Sequence, residues 1–97
     1  MPTYIMLHHY TQKGLENIKQ SPARLEAAKK AFQDLNAELK QFYLVAGQYD
    51  IVTISEAPDD ETIAKCALSL GSKGNVTTET LRAFTEEEYR RIIGGLP

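Results

Sequence analysis

This sequence has little cysteine and no surplus of positive charge. Cys66 is the only cysteine among 97 residues, so no disulfide can form within the chain and nothing in the sequence calls for an oxidising compartment. Lys and Arg number 11 against 13 Asp and Glu, a net charge of −2 with no basic stripe or tail. That balance argues against nucleic acid or an acidic membrane as partner, because phosphate binding needs concentrated Lys and Arg. No apolar run approaches the ~20 residues of a membrane span. "MPTYIMLHHY" has no basic segment ahead of a long apolar run, so no signal peptide is read there. The expectation is a soluble, cytoplasmic protein. Repeats, linkers and low-complexity segments are absent, as are a P-loop, a G-x-G-x-x-G turn and a Ser/His/Asp order. With no His-x-His or Cys-x-x-Cys pair, neither a metal nor a cofactor is expected.

What is present is ordinary globular composition, 42% hydrophobic and 25% charged. A chain of this length is read as one domain, residues 1–97, and buries only about 60–65% of its unfolded surface, so extra burial in an oligomer would help it. "TYIMLHHY" (3–10) reads as a first strand, apolar or aromatic at almost every position. Residues 11–20 read as a polar loop or one short helix carrying Leu15 and Ile18. Ser21-Pro22 reads as a helix start with Ser21 as N-cap. Leu25, Ala28, Phe32 and Leu35 then recur at helical spacing, and Asn36 suits a left-handed helix end. Residues 37–47 and 49–56 read as two strands around a turn at Gly47. The acids Asp59, Asp60 and Glu61 open a second helix, with Ile63, Ala67 and Leu70 as its stripe and Gly71 and Gly74 as its stop. Residues 75–84 read as a fourth strand. Thr85 and Glu88 form a capping box for a short C-terminal helix.

The order β-α-β-β-α-β plus a terminal helix is the ferredoxin-like α+β plan. Right-handed crossovers place both main helices on one face of a four-stranded antiparallel sheet. The other face then needs cover, and a second copy gives a two-fold dimeric α/β barrel. Alternation in the first strand puts Tyr4, Met6, His8 and Tyr10 on one side and Ile5, Leu7 and His9 on the other. The aliphatic set suits the helices, so His8 is expected between subunits and His9 at the rim of the helix layer.

The strand plan, the G-x-Y-D turn of Gly47, Tyr49 and Asp50, and the ending "TLRAFTEEEY" resemble the GYD-domain family over essentially the whole chain. That family is similar to the dimeric α/β-barrel superfamily, which holds small monooxygenases, haem-degrading enzymes, stress-response barrel proteins and ligand-sensing modules. The resemblance implies the fold and self-association and does not choose an activity.

At the G-x-Y-D turn, Gly47 is expected to supply a left-handed backbone angle, Asp50 to bond the turn backbone and Tyr49 to pack. A proton-transfer pair is the weaker reading, because neighbouring strand residues point apart. The candidate pocket comprises His8, Tyr4, Met6, Tyr10 and Tyr43. Cys66 reads as a buried, inert thiol. The leading functional reading is an oligomeric binding or interaction module for a small apolar or aromatic ligand. The alternative is a cofactor-poor enzyme resembling small monooxygenases of antibiotic biosynthesis, with His8 in the pocket. A third reading, haem handling, needs His8 or His9 to open into a broad cleft.

Overall fold

The computed structural model describes residues 1–97. Strand β1 (Thr3–Tyr10) leads into a one-turn helix α1 (Gln12–Glu16), a 3-10 turn (Ile18–Gln20) and helix α2 (Ser21–Asp34). Strands β2 (Glu38–Leu44) and β3 (Ile51–Glu56) follow, then α3 (Asp60–Ser72), β4 (Val76–Ala83) and α4 (Glu86–Gly94). The sheet has four strands in the order β2-β3-β1-β4, all pairs antiparallel, with β1 and β3 central. The ferredoxin-like plan expected from the sequence is therefore the observed one. Between Leu39 and Gln41 the β2–β3 register slips by one residue at Lys40, a local bulge that bends an edge strand.

The caps follow side-chain chemistry, with one correction. Asp59 accepts from the Thr62 amide at the start of α3, and Thr85 and Glu88 bond reciprocally at the start of α4. Ser21 does not cap α2. The 3-10 turn runs straight into the helix, Gln20 occupies the cap position, and the Ser21 hydroxyl pairs with Tyr10 Oη at 3.0 Å. Asn36 takes the left-handed angle, φ 63°. Gly71 lies inside α3, and the left-handed residue that follows the helix is Gly74, φ 78°.

Helices α2 and α3 lie on one face of the sheet. The core beneath them joins Tyr4 and Met6 of β1 to Phe32, Ala37, Ala57, Ile63 and Cys66, with Leu35, Leu39, Ala67 and Leu70 around it. Thus Tyr4, Met6 and His8 face the helices, and His9 sits on the uncovered side. The opposite assignment, expected from aliphatic content, is corrected here, and its reason is visible in the pairing. Tyr4 stands opposite Ser55, and Met6 opposite Thr53, so large β1 side chains lie beside small β3 side chains. Each polar tip on this face of β1 also meets a partner. Tyr4 Oη donates to Asp60 Oδ1 at 2.5 Å, His8 Nε2 lies 3.0 Å from Thr53 Oγ1, and Tyr10 Oη meets Ser21. Buried polar atoms require such partners, whereas aliphatic side chains require none.

The uncovered face carries Ile5 and Leu7 of β1, Val52 and Ile54 of β3, and Leu81 of β4, none fully buried. Helix α4 projects from the body with Tyr89, Ile92 and Ile93 exposed. The radius of gyration, 14.6 Å, exceeds the roughly 13 Å of a compact domain of this size.

Candidate functional site

Two places gather chemistry: a cleft under the helices and the open face near the G-x-Y-D turn. The cleft, about 130 Å³, lies between α2, α3 and the sheet, and its wall is mostly apolar. Ala28 and Ala31 of α2 keep it open by being small, and Phe32, Leu39, Phe42 and Leu70 add larger apolar side chains to its wall. Its wall also includes His8, Tyr10, Ser21, Arg24, Lys73 and Asn75. The last turn of α3 and the first turn of α2 bring these residues to the C-terminal end of β1.

His8 is 5% exposed, and burial pushes its imidazole down to about 4, so it is neutral at pH 7. Its Nε2 is engaged by Thr53, and no residue of the chain bonds its Nδ1. Arg24 donates to the carbonyls of Asn17 at 2.8 Å and Gly14 at 3.3 Å, which ties α2 to the segment before it. Lys73 is exposed at the rim.

Tyr4 lines a separate groove between α3 and β4, beside Asp60 and Arg82. Burial, with the Asp60 hydrogen bond adding to it, pushes its phenol up to about 12. The Arg82 guanidinium stands 5.7 Å from the Tyr4 ring and 4.5 Å from that of Phe84. Met6 is wholly buried core. Tyr43 pairs with Val52 on the open face and is half exposed. The sequence-derived pocket is therefore split. His8 and Tyr10 share the cleft, Tyr4 and Met6 do not line it, and Tyr43 lies across the sheet.

The 45–50 loop is held by Asp50. Its amide donates to His8 O, its carbonyl accepts from the Val45 amide, and its Oδ2 accepts from the Tyr10 amide, each at 2.9 Å. The two main-chain bonds continue the β1–β3 and β2–β3 pairing one residue ahead of Ile51, where β3 begins. Tyr49 points to the open face, where its ring lies 4.7 Å from that of His9 and its hydroxyl donates to Glu79 Oε2 at 2.8 Å. That hydrogen bond raises the Tyr49 phenol. Tyr49 and Asp50 thus point apart, as expected for adjacent extended residues, but the Asp50 carboxylate bonds the Tyr10 amide of β1 and not the turn backbone expected of it.

The expected role of Gly47 is corrected. Its φ is not left-handed, and a Cβ added there meets nothing within 4 Å. The glycine under steric constraint is Gly14, whose added Cβ would lie 2.1 Å from Asn75 O. Cys66 is a buried free thiol that burial pushes up, in keeping with an inert role.

Sequence reasoning missed Arg24 and Lys73 as cleft residues and Glu79 as the partner of Tyr49. The small residues Ala27, Ala28 and Ala31 were the available signal for the cleft, since they leave space under a helix. For Glu79 no local signal exists, because its meeting with Tyr49 spans two strands. No three His, Cys, Asp or Glu side chains converge as a metal site would require, and no helix is long and apolar enough to cross a membrane.

Strand order, antiparallel pairing and two helices on one face define a small ferredoxin-like α+β protein. The GYD domain family matches over residues 4–93, and the chain belongs to that family. It is 37% identical over 85 residues to the "Glutamine synthetase and cystathionine beta-lyase binding protein" of Thermus thermophilus, covering 87% of this chain and 90% of that one. The crystal structure of TTHA0845, also from Thermus thermophilus, superposes with a TM-score of 0.57 at 26% identity, over 88% of this chain and 95% of that one. A hypothetical protein of Pyrococcus horikoshii, at 21% identity and a TM-score of 0.54, shares the fold over 89% of this chain and 93% of its own.

Proposed function

We propose that this protein is a homo-oligomeric interaction module that binds protein partners. In this reading residues 1–97 act as one unit. Two copies cover each other's open sheet face as a dimeric α/β barrel, and the projecting α4 remains to meet another protein. The observation that carries the reading is the open face itself. It holds Ile5, Leu7, Val52, Ile54 and Leu81, and no element of the chain covers it. Leaving such a stripe in water forfeits about 25 cal/mol per Å² of apolar surface, which a second apolar sheet would recover. Helix α4 adds an apolar stripe of Tyr89, Ile92 and Ile93 with no intramolecular counterpart. The 37%-identical Thermus relative is named for binding glutamine synthetase and cystathionine beta-lyase, so those two enzymes are the partners to test first. The small apolar or aromatic ligand expected from the sequence has its seat, on this reading, under the helices and not between subunits.

Light scattering on the purified chain should give at least twice the chain mass of 10.9 kDa. The immobilised protein should retain purified glutamine synthetase or cystathionine beta-lyase, and Ile92→Asp with Ile93→Asp should weaken that retention. A monomer that holds neither enzyme would end this reading.

A further inference from the structure

The cleft under α2 and α3 has a polarity that the fold does not require. Its lining is mostly hydrocarbon, its two charged side chains, half-buried Arg24 and exposed Lys73, are both cations at the C-terminal end of β1, and no Asp or Glu lines any part of it. Neither cation belongs to any of the chain's ion pairs. No hydrogen bond occupies the Lys73 ammonium. The Arg24 guanidinium is bonded only to main-chain carbonyls, which leave its charge uncompensated. Positive potential therefore gathers at the C-terminal end of β1 in a mostly apolar slot, an arrangement that favours an anionic group attached to a hydrocarbon body.

Size limits that body. The cleft measures about 130 Å³, and an apolar cavity of about 150 Å³ accepts benzene. One six-membered ring or a short branched chain fits, and a bicyclic ring system does not. We propose that this cleft binds a small apolar monocarboxylate, its ring or branched chain against Phe32 and Leu70 and its carboxylate at Lys73. His8 supplies a hydrogen-bonding nitrogen, Nδ1, along the way. An α-amino acid is a poorer fit, since its ammonium would find two cations and no carboxylate in the lining. The inference rests on the small-ligand part of the proposed function and not on the protein-partner part. Failure to retain either enzyme would leave it standing.

Phenylacetate is the probe, followed by amide NMR shifts on the native protein. Saturable shifts should concentrate in residues 21–32 and 69–76. Benzyl alcohol, of similar shape without the charge, should bind about tenfold more weakly, as should phenylalanine. Lys73→Met, at an exposed position, should cost phenylacetate about tenfold and leave benzyl alcohol unchanged. Ala28→Leu should fill the slot and abolish binding of both. Absence of saturable shifts at millimolar phenylacetate would overturn the site. Equal loss of both probes in Lys73→Met, or no loss of phenylacetate, would overturn the carboxylate assignment. Phenylalanine binding more tightly than phenylacetate would overturn the ligand class. Should Ala28→Leu fail to fold, the Lys73 comparison decides the question alone.

Discussion

The two faces of the sheet carry opposite chemistries. Under the helices, the central strands present Tyr4, Met6 and His8 beside Ile51, Thr53 and Ser55. The open face presents Ile5 and Leu7 beside Val52 and Ile54. Along these two central strands, from Tyr4 to His8, the covered face is thus the more polar, although His9, Tyr49 and Glu79 stand on the open face beyond them. Helices can supply partners to polar tips, as Asp60 does for Tyr4 and Ser21 for Tyr10. A second sheet, whose backbone bonds are already used, offers few such partners and packs best on aliphatic side chains. Burial within the chain and apolarity are therefore separate properties here, and the more aliphatic stripe is the one the chain leaves uncovered.

Substitutions on the two faces should fail in different ways. Ile54→Asp should dissolve the assembly outright and leave a folded monomer of 10.9 kDa by light scattering. Met6→Ala, at a wholly buried position, should lower unfolding stability by about 2–5 kcal/mol in denaturant titration. That is a large share of a total of roughly 5–15 kcal/mol. If Ile54→Asp unfolds the chain while Met6→Ala does not, the roles of the faces are exchanged.

Acid should act through the covered face. His8 has a folded pKa of about 4, lowered by burial, against about 6.5 unfolded. The neutral imidazole is favoured by folding, so its contribution is complete above pH 6.5, declines as pH falls from there, and levels off below 4. The full loss is about 3 kcal/mol. A pH series of urea melts should show it, and His8→Gln should flatten that stretch of the profile.

Two glycines give a smaller contrast. Gly14→Ala drives a Cβ into the Asn75 carbonyl, which the Thr11 amide holds at 3.0 Å. It should cost about 1–3 kcal/mol. Gly47→Ala meets open space and should stay within about 0.5 kcal/mol of wild type in the same melts. A destabilised Gly47→Ala would restore the backbone role that its φ denies.

Ser55→Ala should have the smallest effect and the opposite sign. The Ser55 hydroxyl is fully buried and has no hydrogen-bond partner. Removing it should raise stability by up to about 1 kcal/mol, and a fall in melting temperature would show that Oγ has a partner in solution.

Most elements read from local pattern formed, while the Ser21 cap and the left-handed Gly47 did not. The Leu25–Leu35 stripe, the acid-led start of α3, the Thr85–Glu88 box and the left-handed Asn36 depend on near neighbours in the chain, and sequence displays those directly. The strand order followed from chain connectivity and the handedness of crossovers. The face of β1 did not follow. Tyr4-Ile5-Met6-Leu7-His8 alternates between two apolar sets, and hydrophobicity cannot choose between them. The choice was made by Ser55 and Thr53 leaving room, and by Asp60 and Ser21 offering hydrogen bonds, contacts up to 56 residues apart. The candidate site divided along the same line. That Asp50 would bond a backbone group was legible from its place in a turn, but its partner, the Tyr10 amide 40 residues away, was not. The cleft lies between α2, α3 and the sheet, and its two cations stand together only because the crossovers bring Arg24 and Lys73 to one end of β1. Secondary structure was determined by near neighbours in the sequence. Sidedness and the site were decided by packing, because volume and hydrogen-bond complementarity arise only between elements already brought together.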